Sequence, residues 1–160
     1  MFACQKYGVR PDVMTVAKAL GCGIPVGAFL TTEKAAALVP GDHGSTYGGN
    51  PLVCAAANVV LDLFEEMKVC ENVQRVGAYM FEKLEELTAK SEKVAEHRGV
   101  GLMQGLELNV PVGPVIKEAQ DKGLILFSAG TNTIRFVPPL VITEEHVDEM
   151  IEILGSVLLA

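Results

Sequence analysis

Three places in this sequence carry side chains whose type and setting suit chemistry. Lys18 stands in Val16-Ala17-Lys18-Ala19-Leu20, apolar on both sides and followed at once by Gly21, Gly23 and Pro25. An ammonium held among apolar neighbours loses hydration, which favours the neutral amine. A neutral amine is the nucleophile that Schiff-base chemistry with an aldehyde requires. Glycines just beyond it let a flat ring and a phosphate approach the backbone. The competing reading is a lysine whose stem covers apolar surface while its head reaches water.

The second place is Asp42-His43-Gly44-Ser45-Thr46-Tyr47-Gly48-Gly49-Asn50. Hydroxyl residues between glycines can present side-chain oxygens and backbone N–H groups to a phosphate. The segment matches neither the nucleotide P-loop nor the dinucleotide glycine fingerprint. Taken alone, the segment reads better as a surface turn, and His43, with no located partner, reads as structural. The third place is Arg135, inside Thr133-Ile134-Arg135-Phe136-Val137-Pro138-Pro139. A guanidinium in an apolar strand keeps its charge and needs an anion. A substrate carboxylate fits its planar fork through two parallel hydrogen bonds; an internal ion pair with an aspartate or glutamate is the alternative. Arg98 reads as a residue that bonds to backbone.

These residues need elements to position them. Phe2 to Tyr7 looks like the tail of a helix closed by Gly8. Val26 to Thr31 has strand character, and Gly41 to Asn50, with its cluster of glycines, must be irregular. Leu52, Ala55, Ala56, Val59, Val60, Leu63, Phe64 and Met67 follow helical spacing as a buried stripe, with Pro51 in the first turn. Val73, Val76, Met80, Phe81, Leu84 and Leu87 repeat that pattern in a second helix, whose Glu82, Lys83, Glu85, Glu86 and Lys90 form a solvated face. From Gly99 the elements shorten: a strand over 100–108, a helix over 114–122, a strand over 124–127, a turn over 129–133 and a strand over 134–137. A last helix over 144–159, capped by Thr143, buries Val147, Met150, Ile151, Leu154 and Leu158. Alternating strands and helices make an α/β chain.

Composition narrows the function. Apolar residues make up 49% of the chain and charged residues 21%, a balance that suits a packed globular protein. The net charge of -7, with basic residues scattered, argues against a nucleic-acid partner. No apolar run reaches the roughly 18 residues of a membrane span. Cys4, Cys22, Cys54 and Cys70 show no paired metal-ligand spacing, and three of them sit among apolar or helical-looking residues, which fits buried free thiols in a reducing cytoplasm.

Taken in order, these segments resemble the class III aminotransferases, most closely the acetylornithine aminotransferase branch. The likeness runs through Tyr7-Gly8-Val9-Arg10-Pro11-Asp12, through Thr15-Val16-Ala17-Lys18-Ala19-Leu20-Gly21, and from Gly41 to Leu52. It continues through Arg98-Gly99-Val100-Gly101-Leu102-Met103 and Ile134-Arg135-Phe136-Val137-Pro138-Pro139-Leu140. The resemblance implies the end of a fold-type I large domain with its bridging helix over 1–68 and a small carboxyl-terminal α/β domain over 69–160. It implies pyridoxal 5′-phosphate as cofactor, held by Lys18, which also moves the proton at the substrate Cα. Thr46, with Ser45, is implied to reach the phosphate of a neighbouring subunit's cofactor, and Arg135 to hold the substrate α-carboxylate. The implied reaction passes nitrogen from N-acetylornithine, or a related terminal amine, to 2-oxoglutarate in arginine metabolism, within a cytoplasmic homodimer that shares its sites. One departure stands out: in the family a phosphate-binding turn, a ring-stacking aromatic and an aspartate for the pyridine nitrogen all precede the lysine. Only seventeen residues precede Lys18, and Asp12 lies too near it in the chain to be that aspartate. The 160 residues by themselves are therefore expected to bind cofactor poorly, and a non-catalytic fragment or dimerisation module is the rival reading.

Overall fold

The computed structural model describes residues 1–160. The chain divides into two compact units, Met1–Lys68 and Val69–Ala160. In the first, a short helix α1 (Ala3–Lys6) precedes strands β1 (Val13–Ala17) and β2 (Gly27–Thr31), which pair antiparallel from Val13↔Thr31 to Ala17↔Gly27. Asp12 fastens the far end of this ribbon. Its carbonyl accepts the Thr32 N–H at 2.9 Å and its carboxylate accepts the Thr32 hydroxyl at 3.3 Å. Residues 41–50 form turns and bends, as the glycines require, and lead into α2 (Pro51–Glu66). Asn50 caps that helix by accepting the Val53 N–H at 3.1 Å, and Pro51 takes a first-turn position where no N–H is needed.

The buried stripe expected on α2 is absent. No residue of α2 is buried; Leu52 is 70% exposed and Val59 55%. Val53, Ala56, Val60 and Phe64 are half-buried, so the apolar arc is partly covered along one row and open along the next. Helical spacing reports which side is apolar, but a second element must cover it, and unit 1 buries no apolar side chain at all. The cysteines also differ from expectation: all four are free, but Cys22 and Cys54 are exposed and Cys4 and Cys70 half-buried.

The second unit has its own core. Helix α3 (Val69–Lys90) begins four residues before its expected stripe, then β3 (Val94–Val100) and β4 (Met103–Leu108) form a hairpin. Helix α4 (Val112–Asp121), β5 (Phe127–Ala129), β6 (Thr133–Phe136) and α5 (Glu144–Leu158) follow. The strands make one antiparallel sheet in the order β3-β4-β6-β5. Leu106 and Leu108, Ile134 and Phe136 point to one face and meet Val76, Met80 and Leu84 of α3, Val115 and Ala119 of α4, and Val147 and Leu154 of α5. The opposite face carries Val100, Met103, Phe127 and Arg135, all exposed.

The single strand expected over 100–108 is the second half of that hairpin, and the strand expected over 124–127 forms later, at Phe127–Ala129. β3 escapes a hydrophobic reading because Glu96, His97 and Arg98 occupy an edge strand with one solvated face. Its inward side chain is His97, fully enclosed: Nδ1 lies 2.6 Å from Glu85 Oε1 and Nε2 2.8 Å from Gln104 Oε1. Glu85, expected as part of a solvated face, thus has a specific partner. Buried Gln104 donates from its amide nitrogen to the carbonyls of Gly77 (3.0 Å) and Gly101 (2.7 Å), tying α3 to the hairpin turn. The approach there is close: a Cβ on Gly77 would fall 2.6 Å from the Gly101 carbonyl carbon. Every buried side-chain polar atom in the chain has a hydrogen-bond partner.

Candidate active site

Lys18 follows the last residue of β1 and opens a single 3₁₀ turn, Lys18–Gly21. Its φ is +58°, a left-handed conformation that costs a residue with a β-carbon about 1–2 kcal/mol. The reversal between β1 and β2 imposes it. Gly21 is buried so tightly that a Cβ there would lie 2.7 Å from Val26 Cγ1, and Cys22 beyond it is also left-handed at +47°. Cys22 N–H closes the turn on the Ala19 carbonyl at 3.1 Å, and α2 packs against the turn. The enclosure by apolar neighbours expected for Lys18 is not present: the residue is exposed, and its amine makes no hydrogen bond or ion pair within the chain. Val16 and Ala17 alternate between the two faces of β1, and Ala19 lies in the turn itself.

The glycine-rich loop separates the two hydroxyls that sequence treats alike. Ser45 Oγ accepts the Gly48 N–H at 2.9 Å, and a Cβ on Gly48 would sit 2.8 Å from it, so Ser45 builds the turn. Thr46 is exposed and its hydroxyl bonds to nothing in the chain. Asp42 closes the start of the loop by accepting the Val39 N–H at 2.9 Å, and Asn50 donates to the Tyr47 carbonyl at 2.8 Å. His43 is exposed and gains no partner.

Arg135 projects from β6 on the open face of the second unit's sheet, while Ile134 and Phe136 on either side point into the core. The internal ion pair considered for it does not form; no carboxylate lies within 4.0 Å. Acids go instead to Arg98, whose guanidinium meets Glu107 at 2.8 Å and Glu96 at 3.4 Å. The Glu107 hydrogen bond, then the charge of Glu96, hold Arg98 protonated still more firmly than an ordinary guanidinium. Arg98 was expected to bond to backbone, and ion pairing replaces that expectation.

Arg135 also borders a groove of about 280 Å³, with walls from Ile125, Phe127, Val137 and Pro138 and with His146 at its α5 side. His146 Nδ1 accepts the Thr143 N–H at 3.1 Å, so this histidine helps cap α5. Neither His146 nor Phe127 stands out in the sequence: one reads as a first-turn helix residue, the other as an ordinary apolar strand residue. The groove pairs an unpartnered guanidinium with apolar side chains, of which Ile125, Phe127 and Val137 are open to solvent.

The comparisons with known proteins agree over almost the whole chain. The family model described as aminotransferase class-III matches residues 1–158. The chain is a class-III aminotransferase by family. Members of this family depend on pyridoxal phosphate. The chain is 46% identical over 159 residues to the acetylornithine aminotransferase of Caldanaerobacter subterraneus subsp. tengcongensis, and 43% identical over 158 residues to that of Methanocaldococcus jannaschii. These alignments cover 99% and 98% of the chain but 40% of each relative, so the chain spans about two fifths of their length. Among solved structures it superposes on the ornithine delta-aminotransferase of Plasmodium falciparum with a TM-score of 0.92 and 39% identity, covering 97% of this chain and 42% of that one. For the acetylornithine aminotransferase of Elizabethkingia anophelis the values are 0.91 and 33%, over 99% and 41%.

Two side chains present here have chemistry that suits part of that cofactor. A primary amine without an internal partner, at Lys18, is the group its aldehyde carbon requires, and the unpartnered Thr46 hydroxyl is a donor for its phosphate. No helix is long and apolar enough to cross a membrane.

Proposed function

We propose that these residues serve transamination of N-acetylornithine, or a closely related terminal amine, with 2-oxoglutarate in arginine biosynthesis. The observation that carries the reading is Lys18. A lysine stands exposed in a strained left-handed turn straight after a strand, inside a chain that matches the class-III model from residue 1 to 158. Strain of this kind persists only where the surrounding structure over-determines it, and it clusters at active sites. The names of the relatives point to ornithine derivatives as the amine.

In this reading Lys18 holds the cofactor through its amine and carries the proton to and from the substrate Cα. Pyridoxal phosphate, when bound, supplies the electron sink that makes that proton acidic. Thr46 donates to the phosphate of a partner subunit's cofactor in a homodimer with shared sites, while Ser45 shapes the turn beneath it. Arg135 fixes the α-carboxylate by two parallel N–H···O bonds. The first unit is then the end of a cofactor-binding domain and the second a smaller substrate-holding domain, in a cytoplasmic enzyme. A second reading, a non-catalytic dimerisation module, draws on the apolar side chains left open on α2.

Borohydride reduction with pyridoxal phosphate, followed by peptide mass mapping, tests the first. The enzyme reading expects the label to concentrate on Lys18 and to vanish in Lys18→Arg. Label spread over the surface lysines, or none, means that these residues do not assemble the site by themselves, and the enzyme reading then belongs to a longer protein. Relative kcat/KM on N-acetylornithine, ornithine, succinyldiaminopimelate and 4-aminobutyrate decides the amine.

A further inference from the structure

The register of the second unit's sheet places four residues in one row across its strands: Arg98 opposite Gly105, Gly105 opposite Arg135, and Arg135 opposite Phe127. Directly opposed residues share a face and set their β-carbons roughly 5 Å apart. The row therefore crosses the open face as guanidinium, empty position, guanidinium, aromatic ring. A glycine within a central strand weakens the strand, and it persists where the backbone needs a left-handed φ, where neighbours leave no room, or where something approaches the backbone closely.

The first two reasons fail for Gly105. Its φ is not in the left-handed region. A Cβ built on it would meet Thr133 Cγ2 at 3.4 Å and the Ile134 carbonyl at 3.5 Å, which are ordinary contacts. Gly77 and Gly99 behave differently, since a Cβ on either would fall 2.6 Å from backbone atoms of Gly101 or Gln104. Packing thus explains Gly77 and Gly99 and leaves Gly105 without a structural need. The third reason remains, and the electrostatics favour it. Glu107 and Glu96 neutralise Arg98 on one side of Gly105, while Arg135 on the other side has no acid partner.

We propose that Gly105 is a specificity-determining residue: by carrying no side chain it keeps open the ground beside Arg135, across which a carboxylate-bearing substrate lies. The proposal rests on the reading of Arg135 as the carboxylate holder and adds the residue that admits the ligand to it. A side chain at 105 would stand between the two arginines and meet the incoming carbon chain, while the fold would accept it.

The two roles of a glycine predict opposite results, so the test reads stability and binding together. The full 160-residue chain, as wild type, Gly105→Ala, Gly105→Val and Arg135→Ala, is titrated with 2-oxoglutarate while the amide resonances of Phe127 and Arg135 are followed. Thermal midpoints are measured in parallel. Wild type is expected to bind saturably. Both glycine variants are expected to keep or raise the midpoint, with binding weakened progressively and by about tenfold or more for valine. A lowered midpoint in Gly105→Ala makes the glycine a packing residue and overturns the proposal. Wild-type affinity in Gly105→Val, with binding lost in Arg135→Ala, overturns the role of Gly105 and leaves that of Arg135 intact. Unchanged binding in Arg135→Ala, or no saturable binding by wild type, removes the reading on which it rests.

Discussion

Lys18 joins two properties that side-chain chemistry and backbone chemistry set independently. Its amine is open to solvent and its backbone sits at φ +58°, where the β-carbon crowds the following carbonyl. Lys18→Gly should therefore relieve about 1 kcal/mol of strain, less what glycine's freer unfolded chain takes back, and should remove cofactor labelling altogether. A denaturant midpoint that does not fall, together with lost label, would show that the lysine is kept for its amine. A clear fall in the midpoint would mean that the lysine stem contributes packing absent from the structure described here. Ser45 and Thr46 show the same economy at neighbouring positions. The Ser45 oxygen accepts the Gly48 N–H and so builds the turn, while the Thr46 hydroxyl has no partner in the chain; each keeps an O–H to donate.

Among elements, the contact between α3 and the β3–β4 turn sets the geometry of the sheet that displays Arg135. Gln104 reaches two backbone carbonyls and His97 from one buried amide, and Gly77 lets the helix backbone close on Gly101. Gly77→Ala forces a β-carbon to 2.6 Å from backbone that side-chain motion cannot relieve. It should destabilise the second unit by about 1–3 kcal/mol despite the better helix propensity of alanine. Urea unfolding monitored by circular dichroism measures this, and an unchanged midpoint would show that the turn can shift. The sequence marks α3 well through its apolar spacing, but β3 poorly. A strand made of Glu, His and Arg is recognisable only once His97 is seen to turn inward between Glu85 and Gln104.

At the scale of the whole molecule, the buried apolar side chains all belong to Val69–Ala160. Burial is what offsets the entropy of ordering a chain, so protection from exchange should follow it. Hydrogen exchange of the 160-residue chain is expected to show slow amides in α3, β4 and β6 and fast amides throughout β1, β2 and α2. Comparable protection in both units would contradict this and would require apolar burial in the first unit that the structure lacks. The class-III relatives are about two and a half times as long as this chain.

Family and fold class, the existence of α2, α3 and α5, and the types of residue able to hold a cofactor, a phosphate or a carboxylate follow from sequence alone. Each depends on local order: the spacing of apolar residues, the placing of Gly and Pro, and motifs in register. Tertiary structure alone decided which apolar stripe is covered, which arginine is neutralised and which is left open, and which of two adjacent hydroxyls holds the turn. These are questions of what stands opposite a side chain, and the answer lies in residues tens of positions away. Strand pairing, not chain order, brings Glu107 to Arg98, while no acid meets Arg135.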